Sequence, residues 1–565
     1  MALLPVNPEA GGGERDNPAR TVVGGGRVRI IAPLAWTAGL LGLSRAAACV
    51  RVAPVLGVLR GPLGLLLLAL AAALALVPAL PRPRRIAPSP GLLFGAAWAL
   101  LLVVGLSYTL RLRVSGDEPH YLLMAQSLWR EHDLDLRDNH AREDWREYTP
   151  GPITPHYGAP RADGRPYPAH SPGLALLLAP LYALGGRPLC VIALTLAAAG
   201  LSLEMWKAAR RLTSDDDEAA LLAWTLALVP PVAFYAFEIY TEVPASLALA
   251  VSLRLLLSGP GAAGAVGAAL LASALPWLHL KMIPAALALA LVALVRLRGP
   301  GRIAFLAVAA AMGAGFLLYY RAIFGVASPL AIYGGLPRDA GGSPVRALAG
   351  LFLDRSFGLL PYAPVFLIAM AGLGRLVRLR AWEPLLVGAA VIAPVLPWRM
   401  WWGGQCPPAR FLVPLVPVLA LALAARVAVS RTGLARWRWP LVGLAIAAAI
   451  GMTIRPGALL LLNRGDRPTR LWAALSGERP IGTYLPSLVS ASSDEWRVAL
   501  VWLAALALLL GLDVAARRRE RIDRLFRGLG LPIVLLLVVG MAVDTWARRT
   551  PPENTKAVTP DEPPE

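Results

Sequence analysis

Residues 91–121 read GLLFGAAWALLLVVGLSYTLRLRVSGDEPHY. Gly91 to Leu110 carry no charge, and about 20 mostly apolar residues is the length of one membrane-crossing helix. Arg111 and Arg113 close that run, and Ser115-Gly116-Asp117-Glu118-Pro119-His120-Tyr121 follows. The stretch therefore describes a helix that leaves a bilayer and delivers two adjacent carboxylates to its surface. Gly116 relaxes the backbone at the exit. Pro119 is tolerated in a first turn, so a helix is predicted from Pro119 to about Arg130, with Asp117 or Glu118 as its cap. Leu122, Leu123, Met124, Leu128 and Trp129 make it apolar on most faces. It is too short to span, which predicts a helix lying at the interface. Read alone, the two acids are either caps or chemistry.

The rest of the chain extends the membrane reading. It has 565 residues, 57% of them hydrophobic and only 16% charged, with a mean hydropathy of +0.58. A soluble globular chain is nearer half apolar and a quarter charged. An all-α polytopic membrane protein is predicted. Further apolar runs lie near 62–80, 188–206, 219–237, 243–258, 302–320, 361–375, 383–397, 411–427, 440–454, 497–513 and 530–546. The run 262–296 is long enough for two short spans broken around Pro276 to Pro284, and a weaker candidate covers 30–48. The total is about thirteen to fifteen spans.

The net charge of +20 raises the question of nucleic acid, and its distribution answers it. Arg82, Arg84 and Arg85 share one loop, as do Lys207, Arg210 and Arg211, then Arg296, Arg298 and Arg302. Arg375, Arg378 and Arg380 follow, then Arg426, Arg431, Arg436 and Arg438, then the run Arg517 to Arg527. These loops fall on one side if the spans alternate, and basic residues in short loops mark the cytoplasmic side. The excess is a topology signal, so no nucleic-acid partner is expected. Cys49, Cys190 and Cys406 form no metal or redox motif.

The informative minority residues are elsewhere. Residues 111–170 hold ten of the 35 acids and five of the six histidines, namely His120, His132, His140, His156 and His170. A long polar loop in a chain of short connections points to function. It closes on Tyr167-Pro168-Ala169-His170-Ser171-Pro172, where His170 meets the membrane again between two restricting prolines. On the same outer side lie Tyr240-Thr241-Glu242-Val243-Pro244, Trp277-Leu278-His279-Leu280-Lys281 and Asp354-Arg355-Ser356-Phe357-Gly358. So does Trp398 to Phe411, which ends in Pro408-Ala409-Arg410-Phe411. An aromatic belt with snorkelling arginines accounts for the tryptophans there, but less well for the turn-rich Gly403 to Pro408. Glu242, Lys281 and Arg410 sit close to apolar segments, where charge is expensive and often functional.

Taken together, these segments resemble the GT-C superfamily of integral-membrane glycosyltransferases. The similarity is to the bacterial protein O-mannosyltransferase and aminoarabinose transferase branch, which uses polyprenyl-phosphate sugars. It covers roughly Gly91 to Ala428. Asp117-Glu118 with its long first outer loop is the most specific element. The resemblance implies that Asp117 is the catalytic base, with Glu118 adjacent. His170 matches the histidine of a His-Pro-Pro signature, although Ser171 stands where that signature has its first proline. A hydroxyl of a lipid, glycan or protein acceptor would attack the anomeric carbon with inversion, while Asp117 takes its proton. Cations would hold the departing phosphate: Arg410 and Lys281 first, then Arg355. His170, Glu242, His120 and Tyr121 are the candidate substrate contacts. No cofactor is required on this reading, and a divalent metal held by histidines and carboxylates is the competing one.

The expected organisation is a disordered cytoplasmic N-terminus (1–27), N-terminal membrane segments (28–90) and a catalytic membrane core (91–428). C-terminal helices with an outer loop at 456–496 (429–546) and a disordered tail (547–565) complete it. The expected location is the plasma (inner) membrane, with the 111–170 loop facing the periplasm or cell exterior. The rival functions are a transporter or lipid-linked-glycan flippase, and a polymerase or ligase using a pyrophosphate-linked donor. A transporter places its ionisable residues within spans near the midplane, whereas here they concentrate in outer loops.

Overall fold

A computed structural model describes residues 35, 37–76, 89–114, 116–149, 151–161, 164–213, 216–334, 340–429, 432–454, 463, 469–490, 492–527 and 530–547. The expected disordered ends, Ser115, Asp163, the Arg82–Arg85 loop, Arg431 and most of 456–468 lie outside the described residues. Among the described residues there is no strand, only isolated bridges such as Tyr157 to Pro168 and Cys406 to Asn463.

Among the described residues, six helices are long and apolar enough to cross a membrane: Pro90–Arg111, Gly173–Arg210, Gly299–Tyr333, Arg410–Val429, Gly433–Ile454 and Ser493–Ala516. A seventh forms if Pro54–Arg60 and Pro62–Ala72, bent by 75°, make one span. The chain is thus a multi-pass membrane protein. Six or seven, counted on the described residues, is fewer than the thirteen to fifteen apolar runs of the whole chain, and some of those runs, such as 62–80, extend past the described residues. Several runs form helices below the about 20 residues of a full crossing, such as Ala262–Leu278 and Trp382–Ile392.

The elements that build the site are α1 (Pro90–Arg111), α2 (Glu118–Arg130), α3 (Gly173–Arg210) and α4 (Glu242–Leu257). With them go α5 (Ala262–Leu278), α6 (Ile283–Arg296) and α7 (Gly299–Phe324). Helix α1 packs on α3, α3 on α4, α4 on α5 and α5 on α7. Helix α3 is broken at Gly185 and Gly186. The predicted break near Pro276–Pro284 appears as a short 3-10 turn, Leu280–Met282, between α5 and α6.

Helix α2 starts at Glu118, within a residue of expectation, but it does not lie along an exposed interface. Residues Glu118 to Ser127 are all buried, because α3 covers the apolar faces. Trp401 also departs from the belt reading: it is buried, and its ring leaves no room for a Cβ at Gly350.

Helices α3, α4 and α6 run away from the polar loops and end in basic residues: Lys207 and Arg210, Arg254, and Arg296. Many of the basic residues at such ends are tethered. Glu204 pairs with Arg254 and, at 2.8 Å, with Lys207. Arg426 and Arg517 reach Asp513 at 2.6 and 2.7 Å, and Arg436 reaches Asp523 at 2.7 Å. These basic residues therefore lock helix ends together.

Candidate active site

At the opposite ends of α3, α4 and α6, four chain segments meet. Asp117 occupies the N-cap position of α2, yet its side chain makes no capping hydrogen bond. Its carboxylate instead accepts from Arg410 Nη2. Glu118 reaches residues outside α2. Its Oε1 accepts from the Ile239 N–H at 3.1 Å, and its Oε2 from the Tyr108 hydroxyl at 3.0 Å. The structure thus removes the capping explanation for Asp117.

Arg410 opens a 3-10 turn (Arg410–Leu415), and its side chain is only 4% exposed. Besides Asp117, it donates through Nε to Glu242 Oε1 at 3.0 Å and through Nη1 to the Gly403 carbonyl at 2.8 Å. Its guanidinium lies 4.4 Å from the Tyr240 ring centroid. The Lys281 ammonium donates to the same Glu242 Oε1 at 2.7 Å and sits 4.0 Å from the Phe411 ring centroid. Glu242, in the first turn of α4, is therefore the carboxylate that gathers both cations.

The close approach is made possible at Gly116. Its φ is +56°, and a Cβ there would lie 2.1 Å from the Tyr240 hydroxyl oxygen and 2.8 Å from the Gln405 carbonyl oxygen. Only glycine takes that conformation in that space. The Tyr240 oxygen in turn accepts from the Asp117 N–H at 3.3 Å.

Beside Asp117 the loop histidines gather. His120 and His156 stack at 3.9 Å between ring centroids, and His170 lies 5.5 Å from His120 and 4.9 Å from Tyr121. Ligand atoms of Asp117, His156 and His170 lie within 4.8 Å of one another. His170 Nε2 is buried without a hydrogen-bond partner. One carboxylate and two imidazoles form a donor set that suits a divalent cation.

The electrostatics follow from this packing. Burial by itself pushes the Asp117 carboxyl up, but the Arg410 guanidinium, helped by His170 and His120, holds it below the usual carboxylate range. Burial and the neighbouring His156 pull His120 down to about 3, and burial likewise lowers His170. Burial pulls Lys281 down to about 8, with Glu242 opposing it.

Asp117, Glu242, Lys281, Arg410, His120, Tyr121 and His170 are thus brought to one region. Arg355 belongs to a separate network. It donates to the Gly482 carbonyl at 3.3 Å and lies 3.6 Å from Glu495. The neighbouring Asp354 accepts from the N–H groups of Ser356, Phe357 and Leu488, so Asp-Arg-Ser-Phe-Gly builds a turn. Of the other groups at the site, the Gly403 carbonyl carries no signal in the sequence, whereas His156 is one of the five histidines concentrated in the 111–170 loop. Tyr240 opens the Tyr-Thr-Glu-x-Pro segment, and that placement could have pointed to it.

No protein-family model matches this sequence, and no curated protein does. Among solved structures, the chain is similar to ArnT from Cupriavidus metallidurans in its apo state. Identity is 16% over 80% of this chain and 76% of that one, with a TM-score of 0.43. The same protein bound to undecaprenyl phosphate gives 16% over the same shares and 0.42. The archaeal oligosaccharyltransferase AglB from Archaeoglobus fulgidus, in complex with an inhibitory peptide and a dolichol-phosphate, gives 13% identity. That match covers 69% of this chain and 57% of that one, with a TM-score of 0.35.

Proposed function

We propose that this protein is a membrane glycosyltransferase. It moves a sugar from a polyprenyl-phosphate donor to a lipid, glycan or protein acceptor at the outer face of the inner membrane, with inversion. The observation that carries the reading is the convergence of a carboxylate, Asp117, with two cations, Arg410 and Lys281, around Glu242. The core that does this is assigned to residues 91–428, with the other membrane segments flanking it.

In the reaction, an acceptor hydroxyl oxygen bonds to the anomeric carbon. The bond from that carbon to the phosphate oxygen breaks, and the phosphate leaves with the electron pair. The hydroxyl proton passes to Asp117. One base suffices, since a phosphate leaves as a stable anion, unlike the alkoxide that a glycosidase must protonate. Arg410 and Lys281 keep N–H donors beyond those they spend on Glu242, Asp117 and Gly403, and these are available to the phosphate. A divalent cation on Asp117, His156 and His170 would supply further charge for the departing phosphate.

The test uses the purified protein in lipid nanodiscs, labelled polyprenyl-phosphate sugars and membrane acceptors. Asp117→Asn should lower transfer about 10²–10⁴-fold, the usual contribution of a general base, while donor binding persists. Normal transfer by this variant sinks the assignment of the base. Donor movement across the membrane without transfer would favour the flippase.

A further inference from the structure

Four carboxyl groups lie on residues 117–118 and on the strip 237–242 that meets them, and three have hydrogen-bond partners. Asp117 and Glu242 pair with Arg410, and Glu118 accepts from Tyr108 and Ile239. Glu238 differs. It is 0% exposed, both its carboxyl oxygens are buried without a hydrogen-bond partner, and it joins no ion pair among the described residues.

A charged carboxylate so placed would be bare in a dry pocket, and proteins resolve that by neutralising the group. The titratable groups that interact with it electrostatically are Glu118, Arg410, Arg187, Glu242, Tyr108, Tyr235, Tyr240 and Cys406. Neither arginine donates to it, although Arg187 Nε and Nη2 are themselves buried without a hydrogen-bond partner. Arg410 serves Asp117 and Glu242, and Arg187 donates to the Leu112 carbonyl at 2.7 Å beneath the Tyr108 ring. Burial, then the charge of Glu118, pushes Glu238 well above the usual carboxylate range.

Its position gives this neutrality a use. Glu238 lies in the strip Phe237–Glu242. Ile239 of that strip holds Glu118, the Tyr240 hydroxyl takes the Asp117 N–H, and Glu242 gathers Arg410 and Lys281. We propose that Glu238 is a positioning residue, an uncharged carboxylic acid that leaves Glu118 the only charge of the pair and so keeps Asp117 docked on this strip. Ionising it would set two like charges against each other in the pocket and push residues 117–118 away from 237–242. The role rests on Asp117 being the base, but the charge state does not.

The test compares wild type, Glu238→Gln and Glu238→Ala in nanodiscs. Infrared difference spectra should show a protonated-carboxyl band in wild type that is missing in Glu238→Gln. An acid with a raised pKa keeps a proton that the unfolded chain has released, so its native state loses relative stability as pH rises above the ordinary carboxylate range. Glu238→Gln escapes this loss, so its Tm should gain on wild type between about pH 5 and 8. Glu238→Gln, uncharged and of the same size, should transfer near the wild-type rate, whereas Glu238→Ala, equally uncharged but leaving a cavity beside the strip, should lose transfer about 10–100-fold, the scale of misplacing a reacting group by up to 1 Å. A missing band or a flat Tm difference overturns the neutral state. A Gln variant as impaired as the Ala variant, with the band intact in wild type, overturns the positioning role. If wild type transfers no sugar, the enzymatic reading fails, while the infrared and Tm results still decide the charge state. If Glu238→Ala does not fold, Glu238→Gln alone carries the test.

Discussion

The Arg410 guanidinium donates to the Asp117 carboxylate from 293 positions further along the chain. This pairing keeps the proposed base ionised deep into acid, at a cost in basicity, since a base works best with its pKa near the operating pH. A donor phosphate that binds Arg410 competes with Asp117 for the guanidinium and so strengthens the base as the donor arrives. Replacing Arg410 with Gln should therefore do two things to transfer. Donor affinity should fall, and the acid limb of kcat/KM should move to higher pH, because burial then raises the Asp117 carboxyl against only His170 and His120. Breaking the buried pairs should also cost about 3–5 kcal/mol of stability. A pH–rate profile with an unchanged acid limb would separate Arg410 from the base.

Lys281 is expected to set the alkaline side of the rate profile. Its ammonium is pulled down to about 8 by burial, against Glu242. The charged form that would hold a phosphate is present below that pH and lost above it. Values of kcat/KM report the free enzyme, so they should fall as pH rises through about 8. In Lys281→Arg the guanidinium stays charged over the whole range, and the alkaline limb should disappear. A limb that persists in that variant would assign it to another group.

Metal dependence follows from the same arrangement of charges. Asp117, His156 and His170 can hold a divalent cation, but Asp117 already has a cationic partner in Arg410, and Lys281 stands close by. Treatment with a chelator is expected to leave at least half of the transfer activity, and His156→Ala is expected to behave likewise. Full loss on chelation, restored by added zinc or manganese, would make the cation part of the machinery.

Part of this site is legible in the amino-acid sequence alone. Asp117, Glu242, Lys281 and Arg410 stand out because each is a charge bordering an apolar segment, and the structure brings the four together. Arg355 stands out for the same reason but lies elsewhere. Its neighbour Asp354 collects three backbone N–H groups and folds the motif into a turn, and no linear feature distinguishes such a turn from a phosphate site. The Tyr240 hydroxyl meets the Asp117 N–H from 123 positions away, so spacing carries no sign of that contact, and the Gly403 carbonyl is a backbone group that no side chain announces. Apolar runs locate the helices well, but run length does not separate full crossings from shorter helices such as α5 and α6, which meet at the Lys281 turn. Helix α2 is apolar enough for an interface. Its burial under α3 is tertiary, and amphipathicity alone does not encode it.

Gly116 offers the sharpest test of how the base is aimed. Its φ of +56° costs an L-residue about 1–2 kcal/mol, and an added Cβ would lie 2.1 Å from the Tyr240 oxygen. In Gly116→Ala that tyrosine must move. Its hydroxyl holds the Asp117 N–H, and its ring lies under Arg410 at 4.4 Å, so base and cation shift together. Transfer should fall by about 100-fold, while thermal unfolding shows only the modest loss expected of the backbone strain. Adding Tyr240→Phe removes the clashing oxygen but also the acceptor for Asp117, and the 2.8 Å contact with the Gln405 carbonyl remains. The double variant should thus regain stability and not transfer. If Gly116→Ala transfers at the wild-type rate, Tyr240 does not aim Asp117, and the close approach at Gly116 serves packing alone.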